Sequence, residues 1–495
     1  MLVSLSSNRI LSSPAACQDR WARWLRVNIY ARGLDSSMDP HLTELPLVGF
    51  IPIQFIREDK AETGEAFASE DATTELSDRA FSSLERSGDL QLLKLDTVYT
   101  ANEAREAVRK CFSANVDLVV YFVPTWIDSS VVIGAVQEVK IPYVVWGCSD
   151  LNTQSLVGMV EVVASLNNLG EKFKAVYGDP SDKEAVDEIE VRARASRVLR
   201  KLRRARIGFI GGIAFGMYDA VQDLVALREK FGTEVVHLDQ YRIIDEISRI
   251  PDSEIQATVS EFSKRVGRVE APSEHLIKSV KVYLALKRLI VKFNFDAIQV
   301  KCHPDLSQIY GACGCLAVSS LIDERIPVAC EGNLNTAFTM YILHELTGNP
   351  PWAHEVPAVD RKKNTLMLWH CGAGALALAK DPSEITVHQQ YAGAVEKGGV
   401  MGGVTMDFWV KPGKATMAAL AGMGNNLRMQ FSEGEILPPS NMDLGPGKIW
   451  VRALVEMPEA ETFIRNAIAH QFVTIHGQVG RELKELCQMV GISAA

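Results

Sequence analysis

Short apolar runs separated by amphipathic stretches mark the first third of the chain. Three of these runs, at 47–53, 116–122 and 141–146, have the length and composition of buried strands, and helical patterns lie between them. Strands that alternate with helices favour right-handed crossovers and a largely parallel sheet. The pattern therefore predicts an α/β domain over residues 47–178.

A charged stretch at 179–204 precedes a second copy of this pattern. The predicted elements of the second copy are the strands 207–210, 234–238, 297–301 and 327–330 and the helices 220–230 and 273–293. We interpret the charged stretch as the junction between two domains. The second α/β domain is predicted over residues 179–355.

Glycine, proline and short β-prone runs become frequent after about residue 360. Strands are predicted at 403–410, 415–420 and 448–455, and a last helix at 480–489. A β-rich third domain is expected over residues 356–495. The predicted fold class is thus α/β, with two Rossmann-like parallel-sheet domains followed by a β-rich, barrel-like C-terminal domain.

Residues 1–46 differ from the rest, since they are rich in Ser and Arg, poor in acids and only weakly periodic. This composition fits an organellar transit segment. It fits equally well a translation start placed too early, with Met38 as the natural first residue. Either interpretation makes the segment a poorly structured extension outside the fold.

The charge and hydropathy of the chain argue against nucleic acid and membranes as partners. The 495 residues carry a formal charge of −9, which argues against a basic surface for nucleic acid. No apolar run approaches the ~18 residues of a membrane span. Nine cysteines without framework spacing fit reduced thiols in a cytoplasmic protein. A small-molecule ligand is therefore expected.

Acids and imidazoles at predicted strand ends are the candidates for chemistry. Glu331 directly follows a strand, where ligands of open α/β sheets collect, and Asp360, His370, His470 and His476 lie further along the chain. Each has an ordinary structural reading, as a surface acid or a hydrogen-bonded core histidine. Two carboxylates with one imidazole would suit Mn²⁺ or Mg²⁺ better than Zn²⁺.

Two other motifs allow different chemistry. The glycine-rich run 208–217 lies between a strand and a helix but lacks the dinucleotide spacing, so a nicotinamide site is a weaker alternative. Cys302-His303 and Cys313-Gly314-Cys315 have no second pair at zinc-finger spacing and fit packed free thiols better. Lys301 ends a strand, where it would either contact substrate or belong to a structural turn.

Four runs of the sequence, 207–218, 301–305, 329–333 and 370–372, resemble in order and spacing the L-fucose/L-arabinose isomerase superfamily. The resemblance covers about residues 47–495 and is strongest between 205 and 375. It implies a metal site of Glu331, Asp360 and His470, with His470 preferred to His476. Glu331 and Asp360 would also be the catalytic acid–base pair.

The resemblance further implies Mn²⁺ as cofactor, with Mg²⁺ or Co²⁺ as substitutes, and a homo-oligomer, either trimer or hexamer. A neighbouring subunit's first domain would complete the pocket. The substrate-binding candidates are Met217, Trp126, Arg57, Lys301 and His370, of which His370 matches a metal ligand of the arabinose-type branch. Asn333 and His303 depart from the family pattern and leave the sugar open.

The expected function is a metal-dependent aldose–ketose isomerase that acts on an open-chain neutral sugar through a cis-ene-diol intermediate. Two alternatives remain at this point. One is a non-catalytic sugar-binding protein of the same fold, and the other, less favoured, is an NAD-dependent oxidoreductase.

Overall fold

The computed structural model describes residues 44–55, 69–390, 402–439 and 451–494. Most of the predicted N-terminal extension lies outside these residues. Arg57 and the first residues of the strand predicted at 448–455 also lie outside them.

The first unit is a five-stranded parallel sheet with helices on both faces. Its strands are β1 Leu47–Pro52, β2 Gln91–Lys94, β3 Leu118–Phe122, β4 Tyr143–Gly147 and β5 Lys174–Tyr177, in the order β2-β1-β3-β4-β5. Its helices are α1 Glu70–Ser87, α2 Ala101–Ser113, α3 Ser130–Glu138 and α4 Ser155–Asn168. Helices α2, α3 and α4 bury one face, and α1 covers the other. Both faces are buried, which explains the near-continuous apolar strands.

Helix α5, Lys183–Arg204, corresponds to the charged stretch that was interpreted as a junction. It begins at Asp182, whose side chain accepts a hydrogen bond from Glu184 N, and three basic residues in its last turn complement the helix dipole. Ile189 packs under the first sheet, whereas Leu199 belongs to the core of the second. The stretch is thus a structural element shared by both sheets.

The second unit repeats the same topology. Its parallel strands are β6 Arg206–Ile210, β7 Glu234–Leu238, β9 Ala297–Val300 and β10 Val328–Cys330, in the order β10-β9-β6-β7. Its helices are α6 Leu224–Phe231, α7 Tyr241–Ile247, α8 Asp252–Lys264, α9 Ser273–Phe293, α10 Ser307–Tyr310, α11 Cys315–Asp323 and α12 Leu334–Thr347. The loops after β6, β9 and β10 meet at the carboxyl edge, where the strand order reverses and a crevice forms.

The third unit is a β-barrel with extra strands. Its strands are β8 Arg268–Val269, β11 Trp352–Asp360, β12 Thr365–His370, β13 Thr386–Gln389, β14 Val404–Trp409, β15 Gly413–Ala421, β16 Arg428–Ile436, β17 Val451–Glu456, β18 Phe472–His476 and β19 Ser493–Ala494. Helices α13 Ala460–Arg465 and α14 Gly480–Val490 complete it. The strand order is β19-β16-β15-β18-β11-β12-β17-β14-β13-β8, and an added β16–β17 pairing closes six strands into a barrel. The predicted fold class is confirmed.

Helix α12 joins the second sheet to the barrel. It contacts β9 on one side and β15 and β18 on the other, and nearly every side chain along it is buried. The carboxyl edge of the second sheet therefore faces one end of the barrel strands. This packing brings residues that are far apart in sequence into one site.

Among the described residues, no single helix has the length and hydropathy of a membrane span. Only the segments 302–310 and 315–323 meet that test, and they do so together as a pair bent by 115°.

Candidate metal centre

Glu331 is held in the crevice by an unusual backbone. It directly follows β10 with a φ of 61°, and Gly332 after it has a φ of 79°. A Cβ atom on Gly332 would lie 2.6 Å from Ala214 N, so only glycine allows this close approach to the loop after β6. Left-handed residues that persist outside glycine mark positions fixed by their surroundings.

The helix that follows is anchored at the same point. The Asn333 side chain accepts a hydrogen bond from Thr336 N at 3.2 Å and so caps α12. Asn333 therefore has a structural role at the start of α12, and an acid at this position would cap the helix equally well.

Three neighbouring barrel strands supply the other polar groups. Glu355 lies on β11 opposite Trp369, and His370 ends β12. His470 and Gln471 directly precede β18, which pairs with β11 through His354 and Phe472. Because β18, β11 and β12 are adjacent, these side chains share one end of the barrel.

These groups come together around Glu331. His470 Nε2 lies 4.0 Å from Glu331 Oε2, and His370 Nε2 lies 3.9 Å from Glu355 Oε1. Gln471 Nε2 donates to Glu331 Oε2 at 2.7 Å. His370 is fully buried, whereas the Glu331 and Glu355 side chains are 24% and 32% exposed, so the carboxylates are open to a ligand.

Asp219 orients His470 from outside this cluster. Its Oδ2 lies 2.6 Å from His470 Nδ1 and accepts a second hydrogen bond from the His470 main-chain N at 2.8 Å. A carboxylate on one ring nitrogen fixes the tautomer and directs the other nitrogen to a metal. Among the described residues, the buried His470 Nε2 has no hydrogen-bond partner.

The electrostatics differ between the two carboxylates. Burial raises the pKa of Glu331, but the nearby imidazole of His470 and the charge of the other neighbouring histidines outweigh it, so the net shift is downward. Burial raises the pKa of Glu355, and the neighbouring Glu331 charge adds to that rise. Burial opposes protonation of His470, yet Glu331 and Asp219 raise its pKa to about 9.

Asp360, the predicted second carboxylate, lies elsewhere. It ends β11 at the hairpin turn, is exposed, and its Oδ1 accepts hydrogen bonds from Lys362 N at 3.0 Å and Lys363 N at 3.2 Å. Five residues along a strand separate it from Glu355, which amounts to roughly 16 Å. The structure does not bring Asp360 into the cluster, and Glu355 occupies the place expected for it.

The two candidate histidines near the C-terminus are separated in the same way. His470 faces Glu331, whereas His476 lies at the far end of β18 with its Nε2 3.0 Å from the carbonyl oxygen of Lys411. Of the two, only His470 belongs to the cluster around Glu331.

The predicted substrate-binding residues fall into two places. Met217 is half-buried in the loop that carries Asp219, and Lys301 directly follows β9 with its Nζ paired to Asp305, so both border the crevice. Trp126 belongs to the carboxyl edge of the first sheet, where its ring packs on Phe55 with centroids 4.9 Å apart.

Cysteines line the back of the cluster. Cys330 Sγ lies 3.4 Å from His370 Nε2, and Cys371 Sγ lies 3.3 Å from His370 Nδ1. Burial raises the pKa of Cys371 to about 12, although its contact with Cys315 opposes this shift. All cysteines of the described residues are free thiols.

Sequence reasoning missed Glu355 and Asp219. Glu355 lies in a largely apolar run, which is a local signal for a functional acid, but the family resemblance pointed to Asp360 instead. Asp219 has no distinctive sequence context. Its role depends on a contact with a residue 251 positions away.

No protein-family model matches the chain. Relatives that carry the name sulfoquinovose isomerase match most of the chain. The one from Priestia aryabhattai is 24% identical over 384 residues, which cover 76% of this chain and 84% of the relative. The one from Alkalicoccus urumqiensis is 24% identical and covers 79% and 89%. The one from Clostridium sp. (strain MSTE9) is 23% identical and covers 70% and 76%.

Solved structures give weaker similarity. An ABC transporter solute-binding protein from Burkholderia multivorans is 12% identical, covers 61% of this chain and 93% of its own, and has a TM-score of 0.17. That score is too low to support an argument about fold or function.

Proposed function

We propose that this chain is a divalent-metal-dependent aldose–ketose isomerase that interconverts its substrates through a cis-ene-diol. Similarity to isomerases over most of the chain supports an isomerase of sugars. One observation supports the metal dependence above all others: His470 Nε2, aimed by Asp219 and without a hydrogen-bond partner among the described residues, points at Glu331.

Four side chains would hold the ion, namely Glu331, Glu355, His370 and His470. Two carboxylates and two imidazoles form a mixed oxygen and nitrogen set that suits Mn²⁺ and its substitute Co²⁺, whereas Mg²⁺, which prefers oxygen ligands, is the weaker substitute. A bound divalent ion would polarise the sugar carbonyl and stabilise the charge of the ene-diolate.

The two glutamates have different proton affinities, which suits an acid–base pair. Glu331, whose pKa is lowered, is the carboxylate ready to accept a proton from the sugar carbon. Glu355, whose pKa is raised, is the group better able to hold and return a proton. Environments that push two pKa values apart assign such roles in other enzymes. In this assignment Glu355 replaces Asp360 as the second catalytic carboxylate.

The substrate is an open-chain sugar, either neutral or carrying a sulfonate. The names of the relatives favour testing a sulfonated sugar beside neutral aldoses. Lys301 borders the crevice but is paired with Asp305, so a sulfonate would have to compete for it. We place the protein in the cytoplasm, in line with its free thiols.

A homo-oligomer, trimer or hexamer, is part of the proposal. Large apolar side chains are exposed near the crevice, where Phe215 is 59% and Tyr218 90% exposed, and beyond the first sheet, where Leu151 is 94% exposed. Such side chains favour burial against a second copy. Trp126 and Arg57 would then contact substrate bound to a neighbouring subunit.

The test is an isomerase assay on a panel of aldoses that includes sulfoquinovose. Ketose formation is measured with Mn²⁺, after exhaustive chelation, and after Mn²⁺ is added back. We expect turnover only with the metal, and a loss of about 10²–10⁴-fold in kcat for Glu331→Gln. Turnover that survives complete metal removal would refute the proposal. Sugar binding without turnover in every case would favour the sugar-binding alternative.

A further inference from the structure

Thiols surround a residue of the proposed centre on both sides. The His370 ring lies between Cys330, 3.4 Å from Nε2, and Cys371, 3.3 Å from Nδ1. Cys302 adjoins Cys330, and Cys315 adjoins Cys371. The proposed isomerisation moves protons between carbon and oxygen atoms and does not use these thiol groups.

The thiols are fixed by two different units of the fold. Cys330 is the last residue of β10, next to Glu331, and Cys371 directly follows β12. The Cys371 carbonyl oxygen lies 3.4 Å from Cys315 Sγ, and Gln390 Nε2 lies 3.2 Å from that same sulfur. Hydrogen bonds therefore hold the Cys315 sulfur beside the main chain of Cys371.

We propose that Glu331, His370 and Cys371 form a site for a thiophilic divalent cation such as Zn²⁺ or Cd²⁺. Donor atoms of these three residues all lie within 4.8 Å of one another. Zn²⁺ and Cd²⁺ accept a mixed set of sulfur, nitrogen and oxygen in tetrahedral geometry, whereas Mn²⁺ and Mg²⁺ prefer oxygen.

Occupation of this site would exclude the ion of the isomerase, because both sites use Glu331 and His370. Each bound thiol releases one proton to solvent, and no oxidation takes place. A thiophilic cation would thus inhibit the isomerase by competing with Mn²⁺. The inhibition rests on the proposed function, whereas the cation site itself does not.

The experiment titrates the full-length, metal-free protein with Cd²⁺ and follows the ultraviolet charge-transfer absorbance of cadmium–thiolate bonds. We expect a band that saturates at one equivalent and that excess Mn²⁺ diminishes. Cys371→Ser should weaken Cd²⁺ binding by about tenfold or more, since loss of a ligand costs at least as much as loss of its supporting partner. Cys371→Ala serves as a second variant if the first is unstable.

The matched control is Cys148→Ser. Cys148 is also buried, but it lies in the first unit, where its sulfur is 3.7 Å from the Ser155 hydroxyl. Because Cys148 is not a ligand of the proposed site, this substitution should leave the cadmium–thiolate absorbance unchanged. A full-strength band in both Cys371 variants, or none in the unaltered protein, would overturn the inference.

The absorbance does not depend on turnover, which separates the two proposals. An absorbance band without isomerase activity would support the cation site and refute the proposed function. Mn²⁺-dependent turnover without a band would do the reverse.

Discussion

The two parallel sheets share a strand order but not the chemistry of their carboxyl edges. At the carboxyl edge of the first sheet, the aromatic ring of Trp126 packs on that of Phe55. The second ends in charged groups, among them Lys301 and Glu331. Both edges contain the crevice that this topology creates.

The difference follows from what each edge faces. The edge of the second sheet meets the barrel end that carries Glu355, His370 and His470. Among the described residues, these three side chains make their ion-pair contacts with each other and with Glu331 and Asp219 of the second unit. A crevice thus becomes a candidate site only where a second unit supplies opposing groups. In a homo-oligomer, the first edge would gain its function from another copy.

The largest expected effect tests whether Glu355 or Asp360 is the second carboxylate. Glu355→Gln should lower kcat by about 10²–10⁴-fold, because it removes a metal ligand and an acid–base group. Asp360→Asn should leave kcat unchanged, since the amide oxygen still accepts the turn hydrogen bonds from Lys362 and Lys363. Steady-state kinetics with saturating Mn²⁺ give both values.

The opposite ranking of these two variants would restore Asp360 as the catalytic residue. It would also mean that the barrel end carrying Glu355 does not face the substrate.

The next effect concerns the residue that orients the barrel's histidine. Asp219→Asn should weaken Mn²⁺ binding by about 10–100-fold, because His470 loses the carboxylate that fixes its tautomer. Activity at saturating Mn²⁺ should recover most of its original value. Metal titrations followed by activity and by calorimetry measure this, and unchanged affinity would show that the contact of Asp219 with His470 is structural only.

The sequence allowed the architecture to be predicted because apolar periodicity is local. The strand Glu234–Leu238 and the helix Ser273–Phe293 have the ends that were predicted. No bounds were predicted for the barrel strands β11 and β12. Their polar and apolar residues do not alternate clearly. They pair with β17 and β18, which lie late in the chain, so the sequence near β11 and β12 does not reveal their partners.

The site was only partly predictable for the same reason. Glu331 stood out because a strand end is a local feature, and the family resemblance pointed to His470. The choice of Glu355 over Asp360 depends on the register between β11 and β12, which places Glu355 opposite Trp369 and Asp360 at the turn. No local pattern encodes that register.

A smaller effect is expected at the edge of the first sheet. Trp126→Ala should raise KM by about tenfold, equivalent to ~1.4 kcal/mol, with little change in kcat, if this edge contacts substrate bound to another copy. The control is Phe112→Ala, since Phe112 is 60% exposed on helix α2 and lies outside the proposed pocket. Equal KM values for both variants would leave the first edge without a part in binding.

The smallest effect concerns the helix that the two sheets share. Lys201 on α5 pairs with Glu345 on α12 at 2.7 Å. Burial raises the pKa of Glu345, but the charge of Lys201 and its neighbours outweighs burial and lowers it below 4.5. The ionised form therefore stabilises the folded state above that value, and the stabilisation is lost as the pH falls further.

Glu345→Gln should lower the free energy of unfolding by about 1 kcal/mol at neutral pH and by much less near pH 3. Urea unfolding across this range measures the difference. The control Asp78→Asn breaks an exposed pair with Lys94, at 2.7 Å, and should have almost no effect at any pH. A pH-independent loss in Glu345→Gln would mean that the side chain acts through packing, so that charge has no part in holding α5 against α12.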